Sequence, residues 1–227
     1  KHGRFGMEWG EPRDSAHEKL SRVMLRRTRA EVLPDLPGKT HQIIAVPLPV
    51  SIKKMHEAAE REIPLDMLPG DIGRFAELRK LTAMAKMDVA LSLVSQYEEN
   101  ETKLIVASAH TDPIQTIGKR DGWAYIDGTV SESRRNQIVN DFQNNQLKGV
   151  AINIKAGGIG ITLTAGSTML FIDQEWTPAL NEQAEDRICR IGQKNACHYV
   201  HLVGETKLEE RVWSILNNKK SLCETVL

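Results

Sequence analysis

A chain of 227 residues with 41% hydrophobic content can bury the core of one medium domain and carry some further elements. Lys+Arg and Asp+Glu both number 30, so the chain as a whole has no net basic signature, which speaks against a purely electrostatic glue for nucleic acid. The cysteines, Cys189, Cys197 and Cys223, are odd in number and form no Cys-x-x-Cys pair. That disfavours a disulfide framework or a structural zinc and fits a reducing compartment. The first residues hold no apolar leader core, and no stretch approaches membrane-spanning length. Because the chain begins at Lys1, without a start Met, a fragment of something longer is expected.

The charge is unevenly spread: Arg22, Arg26, Arg27, Arg29, Lys39, Lys53 and Lys54 lie near the start with few acids between them. Ala16 to Val32 reads as an arginine-rich helix, ended by the breaker Pro34-Asp35-Leu36-Pro37-Gly38. An extended run follows from His41 to Val50, with Ile44, Val46 and Leu48 alternating with other residues. A helical region starts near Ser51 and breaks around Pro64 and Pro69-Gly70. Phe75 to Tyr97 reads as one long helix with an apolar stripe of Leu78, Leu81, Ala85, Val89, Leu93 and Tyr97. Met84 and Met87 are expected in the core.

The pattern then changes to short apolar runs separated by helical segments. The runs Lys103–Ser108, Trp123–Ile126, Gly149–Ile154, Thr168–Asp173 and Cys197–Val203 read as buried parallel strands. Ser131–Asn144 reads as a helix with Ile138, Val139 and Phe142 on one face. A last helix opens at Thr206 with Glu209 in capping-box position and a stripe of Leu208, Val212, Ile215 and Leu216. Alternating strands and helices imply an open parallel α/β sheet, whose ligands bind at the carboxyl ends of the strands. The loops after Ser108, Ile126, Ile154, Asp173 and Val203 are therefore the candidate sites. His198 and His201, three apart on a strand, point to opposite faces, so no metal set is expected from them.

A self-sufficient ATP-using enzyme should carry G-x-x-x-x-G-K-[ST]. The one Gly38-Lys39-Thr40 has Leu33 where the first glycine belongs, and Pro34 and Pro37 remove N–H groups that such a loop needs. No Asp-Glu pair stands at a strand end to hold magnesium. ATP chemistry, if present, must be completed by another domain.

The segment Trp176 to Gln193 is the most informative. Thr177 can cap a helix, Pro178 suits its first position, and Gly192 can end it in a left-handed turn. At about 100° per residue, Gln183, Arg187 and Arg190 share a stripe, with Leu180, Ala184, Ile188 and Ile191 on the apolar face. Two readings follow from the residues. One is a surface helix whose arginines pair with Glu182, Glu185 and Asp186. The other is a pair of arginine fingers aimed at a γ-phosphate.

The string Gln183-Ala184-x-Asp186-Arg187-x-x-Arg190-Ile191-Gly192-Gln193 resembles the last helicase motif of Swi/Snf-type, superfamily 2 DNA-dependent ATPases, with Cys189 where the family usually has His. Arg190-Ile191-Gly192-Gln193 argues against an RNA helicase lobe. Lys155-Ala156-Gly157-Gly158-Ile159-Gly160-Ile161-Thr162-Leu163 resembles the family's fifth motif, with Asn153-Ile154 in place of the usual Ser-Thr. Phe171-Ile172-Asp173 with Trp176-x-Pro178, Lys103–Ser108, and Ile126-Asp127-Gly128-Thr129-x-Ser131-x-x-x-Arg135 resemble further motifs. Met24 to Lys39 is similar to the family's linker between lobes, and Phe5-Gly6 with Trp9 resembles its compact fork-remodelling, annealing-helicase-like branch.

The resemblance implies the C-terminal RecA-like lobe: a P-loop-NTPase-type parallel sheet flanked by helices, preceded by a helical inter-lobe linker. Residues 1–50 would be that linker, 51–100 a helical lead-in and 101–227 the lobe. It implies Arg187 and Arg190 as catalytic residues, and Gln183, Gly158 and Gly160 at the closing ATP site. Lys155, Ser108, Ser131, Arg135 and Trp176 would face DNA, with bracing of the sheet the alternative for Arg135 and core packing the alternative for Trp176. ATP with Mg2+ would be bound mainly by an N-terminal lobe of the same protein, and double-stranded DNA would be the partner. No membrane and no other small-molecule substrate are implied. The location would be cytoplasm, nucleoid or nucleus. The alternative is a stand-alone nucleic-acid-binding or interaction module that keeps the fold.

Overall fold

The computed structural model describes residues 2–3, 6–7, 33, 35–62, 72–155, 160–207, 209–210, 213–214 and 216. The arginine-rich stretch Ala16–Val32 lies outside them, as do Phe5, Trp9, Gly157, Gly158, Leu208, Val212 and Ile215. In chain order the elements are β1 (His2–Gly3), β2 (Gly6–Met7), β3 (Lys39–Val46), α1 (Val50–Glu62), α2 (Ile72–Ala85) and α3 (Met87–Glu99). They continue with β4 (Leu104–Ser108), α4 (Thr111–Gly118), β5 (Trp123–Ile126), α5 (Glu132–Gln143), β6 (Gly149–Asn153), β7 (Thr168–Phe171), α6 (Pro178–Glu185) and β8 (Cys197–Gly204).

Six strands form one sheet in the order β3-β8-β7-β4-β6-β5, and every pairing in it is parallel. The expected RecA-like α/β architecture is therefore present. β4, β6 and β7 are buried along their whole length, as strands covered on both faces must be. Their period-2 alternation divides the core in two. Ile105 and Ala107 of β4 pack with Ile138 and Phe142 of α5 and Ala184 of α6. Leu104 and Val106 pack with Met87, Ala90 and Val94 of α3 and with Ile114 and Ile117 of α4. Gly149 is required at the start of β6, because a Cβ there would stand 2.3 Å from the Trp123 ring. Trp123 in turn donates Nε1–H to Glu98 at 2.6 Å, and Glu98 also holds Arg120 at 2.6 Å.

The extended run before residue 50 is a full member of the sheet. β3 pairs with β8 from Lys39↔Cys197 to Val46↔Gly204 and forms the sheet edge, upstream of residue 101 where the lobe was expected to begin. The helix expected over Phe75–Tyr97 is instead two helices, broken at Lys86. Its buried positions are Leu78, Ala83, Met87, Ala90 and Val94; Leu81, Ala85, Val89, Leu93 and Tyr97 are only half-buried. The inner face also carries Arg79, Thr82 and Lys86, polar residues that a hydrophobic pattern assigns to solvent, so apolar spacing alone points to the wrong stripe. Lys86 is fully buried and donates to the Leu202 carbonyl at 3.0 Å and to Glu209 at 2.9 Å. Met87 is in the core as expected, but Met84 is 38% exposed.

After β8 the backbone turns helical at Lys207, and Thr206 Oγ1 accepts from Glu209 N at 3.4 Å as the cap requires. The Glu209 side chain does not complete a capping box, because it serves Lys86 and Gly204 N. Leu216 is buried. Among the described residues no helix is long and apolar enough to cross a membrane.

Candidate functional site

All strands of the large sheet run the same way, so the ends of β4, β6 and β7 open on one edge. From β4 the chain crosses to β5 on one side, and from β6 it crosses back over β4 to β7. That reversal makes β4 the switch point where open α/β sheets bind ligands. At the end of β4 the buried Ser108 hydroxyl donates to Asp173 Oδ1 and accepts from His110 N at 3.0 Å, while Ala109 N donates to the same Asp173 oxygen at 3.2 Å. Ser108 is 0% exposed, so what reaches the surface here is the half-buried pair Ala109 and His110. Asp173 Oδ2 faces His110 Nε2 at 3.4 Å. Burial pushes the Asp173 carboxyl above the ordinary carboxylate range, with His110 opposing, and burial pulls the His110 imidazole below its usual value.

Asn153 ties β6 to β4. Its Nδ2 donates to the Ala109 carbonyl at 3.1 Å, and its Oδ1 accepts from Lys155 N at 3.1 Å. Lys155 is exposed and lies 3.1 Å from the buried Glu175. Glu175 is itself clamped through its backbone: N donates to Asn181 Oδ1 at 2.8 Å, and its carbonyl accepts from Asn181 Nδ2 at 2.9 Å. Trp176 follows, half-buried, with the Arg79 guanidinium 4.6 Å from its ring centroid. Arg79 also donates to the Gln174 carbonyl. The segment that carries Trp176 is thus held from both ends by polar contacts.

Beyond β5, Asp127 accepts from Thr129 N at 2.9 Å, Thr129 Oγ1 at 2.6 Å and Gln115 Nε2 at 2.9 Å. Burial alone would raise its pKa, but these donors hold it below the ordinary value. This turn delivers Ser131, exposed at the N-cap of α5, where its Oγ accepts from Arg134 N at 3.3 Å. Arg135 is buried and donates to the Val130 carbonyl at 3.1 Å, within the turn that leads into α5.

The arginine segment is not one helix. α6 ends at Glu185, and Thr177 makes no side-chain cap, although Pro178 occupies the first turn as expected. Arg187 N bonds the Ala184 carbonyl at 3.0 Å, and Arg190 N the Ile188 carbonyl at 3.1 Å, so the helical angle does not carry through to residue 190. The cause is competition for acceptors. The Arg187 carbonyl, which a continuing helix would offer to Ile191, is taken by Leu163 N at 2.8 Å. The Glu185 carbonyl is shared with the Tyr199 hydroxyl at 3.1 Å. As a result Ile191, expected on the apolar face, is 72% exposed, while Ala184 and Ile188 are buried as expected. Gln183 is exposed and half-buried Leu180 packs on the core. Gly192, at φ +99°, ends the segment in the left-handed region as expected.

The single-stripe geometry of Gln183, Arg187 and Arg190 therefore gives way to a tight arginine turn, bolted to the loop after Gly160. Arg190 Nη1 donates to Thr162 Oγ1 at 3.4 Å. Gln193 Nε2 donates to the carbonyls of Gly166 at 2.8 Å, Ile188 at 3.1 Å and Thr164 at 3.3 Å. Gln143 pins the same loop, through Thr164 Oγ1 at 3.1 Å and Ala165 N at 2.7 Å. Gly160 is exposed at φ +50°. Of the acids named as possible arginine partners, Glu185 and Asp186 hold Lys39 at 3.1 and 3.2 Å. Burial works against the Lys39 charge, yet the two carboxylates keep its pKa above the ordinary value. Arg187 is half-buried, and among the described residues its Nε has no hydrogen-bond partner. Burial and then the charge of Arg190 press its pKa down, with Asp186 opposing.

Sequence reasoning missed one grouping. His201 shares its surroundings not with His198 but with His41 and Glu185, whose ligand atoms all lie within 4.8 Å of one another. Sheet register sets His41 beside His201 and the end of α6 brings Glu185 to them, and no sequence spacing signals it.

The family model described as "Helicase conserved C-terminal domain" matches residues 85–192. The DNA annealing helicase and endonuclease ZRANB3 of Mus musculus is 32% identical over 225 residues, covering 93% of this chain and 21% of that protein. The chain therefore spans about a fifth of the length of the curated relatives it matches. Among solved structures, the Sulfolobus solfataricus SWI2/SNF2 ATPase core domain superposes with a TM-score of 0.67 at 23% identity, covering 92% of this chain and 49% of that one. The same core solved in complex with dsDNA gives 0.65 at 22% identity, covering 92% and 50%. The fold, the motif order and these relatives agree: the chain carries a helicase conserved C-terminal domain on a RecA-like parallel sheet and is related to SWI2/SNF2 and ZRANB3-like proteins.

Proposed function

We propose that this lobe completes the ATP site of a two-lobe, double-stranded DNA translocase and is inactive without the lobe that binds Mg-ATP. The observation that carries the reading is the arginine turn. Arg187 and Arg190 share one tight turn, near enough for the charge of Arg190 to press the Arg187 pKa down, and the half-buried Arg187 is partly stripped of solvent at a cost that an arriving anion relieves. A γ-phosphate presented by the first lobe is such an anion, and arginine fingers of this kind are worth about 10³–10⁵ in rate. ATP and Mg2+ belong mainly to that other lobe. Gln183 and the glycines Gly158 and Gly160 are assigned to the closing surface.

Lys155 and Ser131, both exposed, and the half-buried Trp176 are the side chains we assign to the DNA. Ser108 acts on DNA only through the strand end it shapes, and Arg135 through the turn it braces. Phosphate contacts carry no base information, so sequence preference is low. The relative solved with dsDNA and the relative named as a DNA annealing helicase support a duplex partner and the fork-remodelling branch. We assign residues 1–50 to the inter-lobe linker, whose last strand docks as the sheet edge, 51–100 to the lead-in and 101–227 to the lobe. Cys189 and Cys197, buried and free, fit the reducing environment of cytoplasm, nucleoid or nucleus.

The test is turnover. The chain alone shows no ATPase with or without DNA; the protein that carries both lobes is stimulated more by duplex than by single strands. Robust DNA-stimulated hydrolysis by this chain alone would sink the proposal.

A further inference from the structure

The His41–Glu185–His201 grouping joins three elements that are far apart in sequence: the edge strand β3, its neighbour β8 and the last residue of α6. His41 Nδ1 and His201 Nε2 face one another at 3.2 Å. Two nitrogens bound to one tetrahedral zinc, at bond lengths of about 2.0–2.1 Å, stand roughly 3.3 Å apart. The two rings are thus already spaced as one edge of a coordination tetrahedron. We infer that His41, Glu185 and His201 bind a single borderline divalent cation, Zn2+ before others, with a water completing the site.

The surroundings fit that chemistry. His201 is 2% exposed, stacked on Phe171 at 4.9 Å and met edge-on by Trp213 at 5.2 Å, so its ring is aimed before any ion arrives. Burial pulls its pKa down to about 3, so it stands neutral, as a ligand must. Gln174 lies 2.8 Å from the other ring nitrogen, Nδ1. Metal on Nε2 requires the proton on Nδ1, and a half-turn of the Gln174 carboxamide presents its oxygen to that proton. Glu185 presently holds Lys39; when it swings to the ion, Lys39 keeps Asp186 at 3.2 Å. His41 is exposed at the mouth of a cleft that Gln174, Asn181 and Trp213 also line, which supplies the entry path. Two imidazoles and one carboxylate suit zinc, whereas Ca2+ and Mg2+ prefer all-oxygen sets. The ion would tie β3 and β8 to the residue two positions before Arg187.

The experiment is a Co2+ titration of the metal-free 227-residue chain near neutral pH, purified without a histidine tag. One equivalent should give the intense visible absorption of four-coordinate Co2+, removed by Zn2+ and not by Mg2+. His41→Ala and His201→Ala should each weaken Zn2+ by at least about tenfold, and His198→Ala should leave it unchanged. If His201→Ala does not fold, the exposed His41→Ala decides. A weak six-coordinate spectrum, no binding up to millimolar Zn2+, or binding that survives His41→Ala would each overturn the inference.

Discussion

Gln193→Ala removes the staple between the arginine turn and the loop that follows Gly160. The residue is 8% exposed, and its Nε2 satisfies the carbonyls of Gly166, Ile188 and Thr164. Its Oε1 accepts from Lys194 N at 2.9 Å and Asn195 N at 3.0 Å. These last two donors lie nearer solvent and regain water in the variant. The bonds to Gly166 and Ile188 are buried, and each is worth roughly 1 kcal/mol net, with about 1 kcal/mol more for an acceptor left dry. The sum is about 3 kcal/mol. At about 2–4 °C per kcal/mol for a chain of this size, melting should fall by about 6–12 °C. Calorimetry or circular dichroism of the chain measures it. Gln193→Glu should be worse than alanine, because a carboxylate accepts only and would face carbonyls. In the two-lobe protein the alanine variant should lower kcat more than it raises KM for ATP, because the Ile188 anchor lies between Arg187 and Arg190. A melting temperature within about 1 °C of the parent would refute the staple.

Lys86→Met should cost about 3–5 kcal/mol in urea denaturation, because Glu209 keeps its buried charge and loses its cation. Adding Glu209→Gln should recover part of that; a loss below about 1 kcal/mol for the single variant would show that the pair does not hold the helix break. Stability should also fall on mild acidification. The folded pKa of His201, about 3, lies below its ordinary value, so the unfolded chain takes up the proton first. Its contribution is complete above about pH 6.5 and is lost as pH falls toward about 3, at roughly 1.4 kcal/mol per pH unit. His56 and His110 are shifted the same way and share the upper part of that window, so the informative quantity is the slope difference between the parent and His201→Gln in chelator. Equal slopes between about pH 6 and pH 4 would contradict the assignment.

The sheet was legible because its strands announce themselves. Trp123–Ile126 has the bounds expected from its apolar run, and the other four runs differ from their strands by two residues or fewer at either end. The segments that follow Ser108, Ile126, Asn153 and Phe171 fall at the strand ends, where parallel topology places ligand loops. What stayed hidden depends on partners distant in sequence. Nothing near Lys86 foretells a break that Glu209 and the Leu202 carbonyl stabilise. The arginine helix satisfies every local rule for continuing to Gly192, yet Leu163 N takes the Arg187 carbonyl that Ile191 would need, and the Tyr199 hydroxyl shares the Glu185 carbonyl. Ser108 looks like a surface hydroxyl until Asp173 is brought beside it from β7. The His41–His201 contact is a product of β3–β8 register alone.

The central claim is that the arginine turn serves a phosphate held by another domain. Arg187→Ala in the protein that carries both lobes tests it most directly, with steady-state ATPase on duplex DNA and duplex affinity measured side by side. The account predicts hydrolysis down by about 10³-fold or more, duplex affinity within a few-fold of the parent, and a folded lobe. Hydrolysis near the parent rate, or equal loss of hydrolysis and binding, would make Arg187 a structural residue and contradict the account.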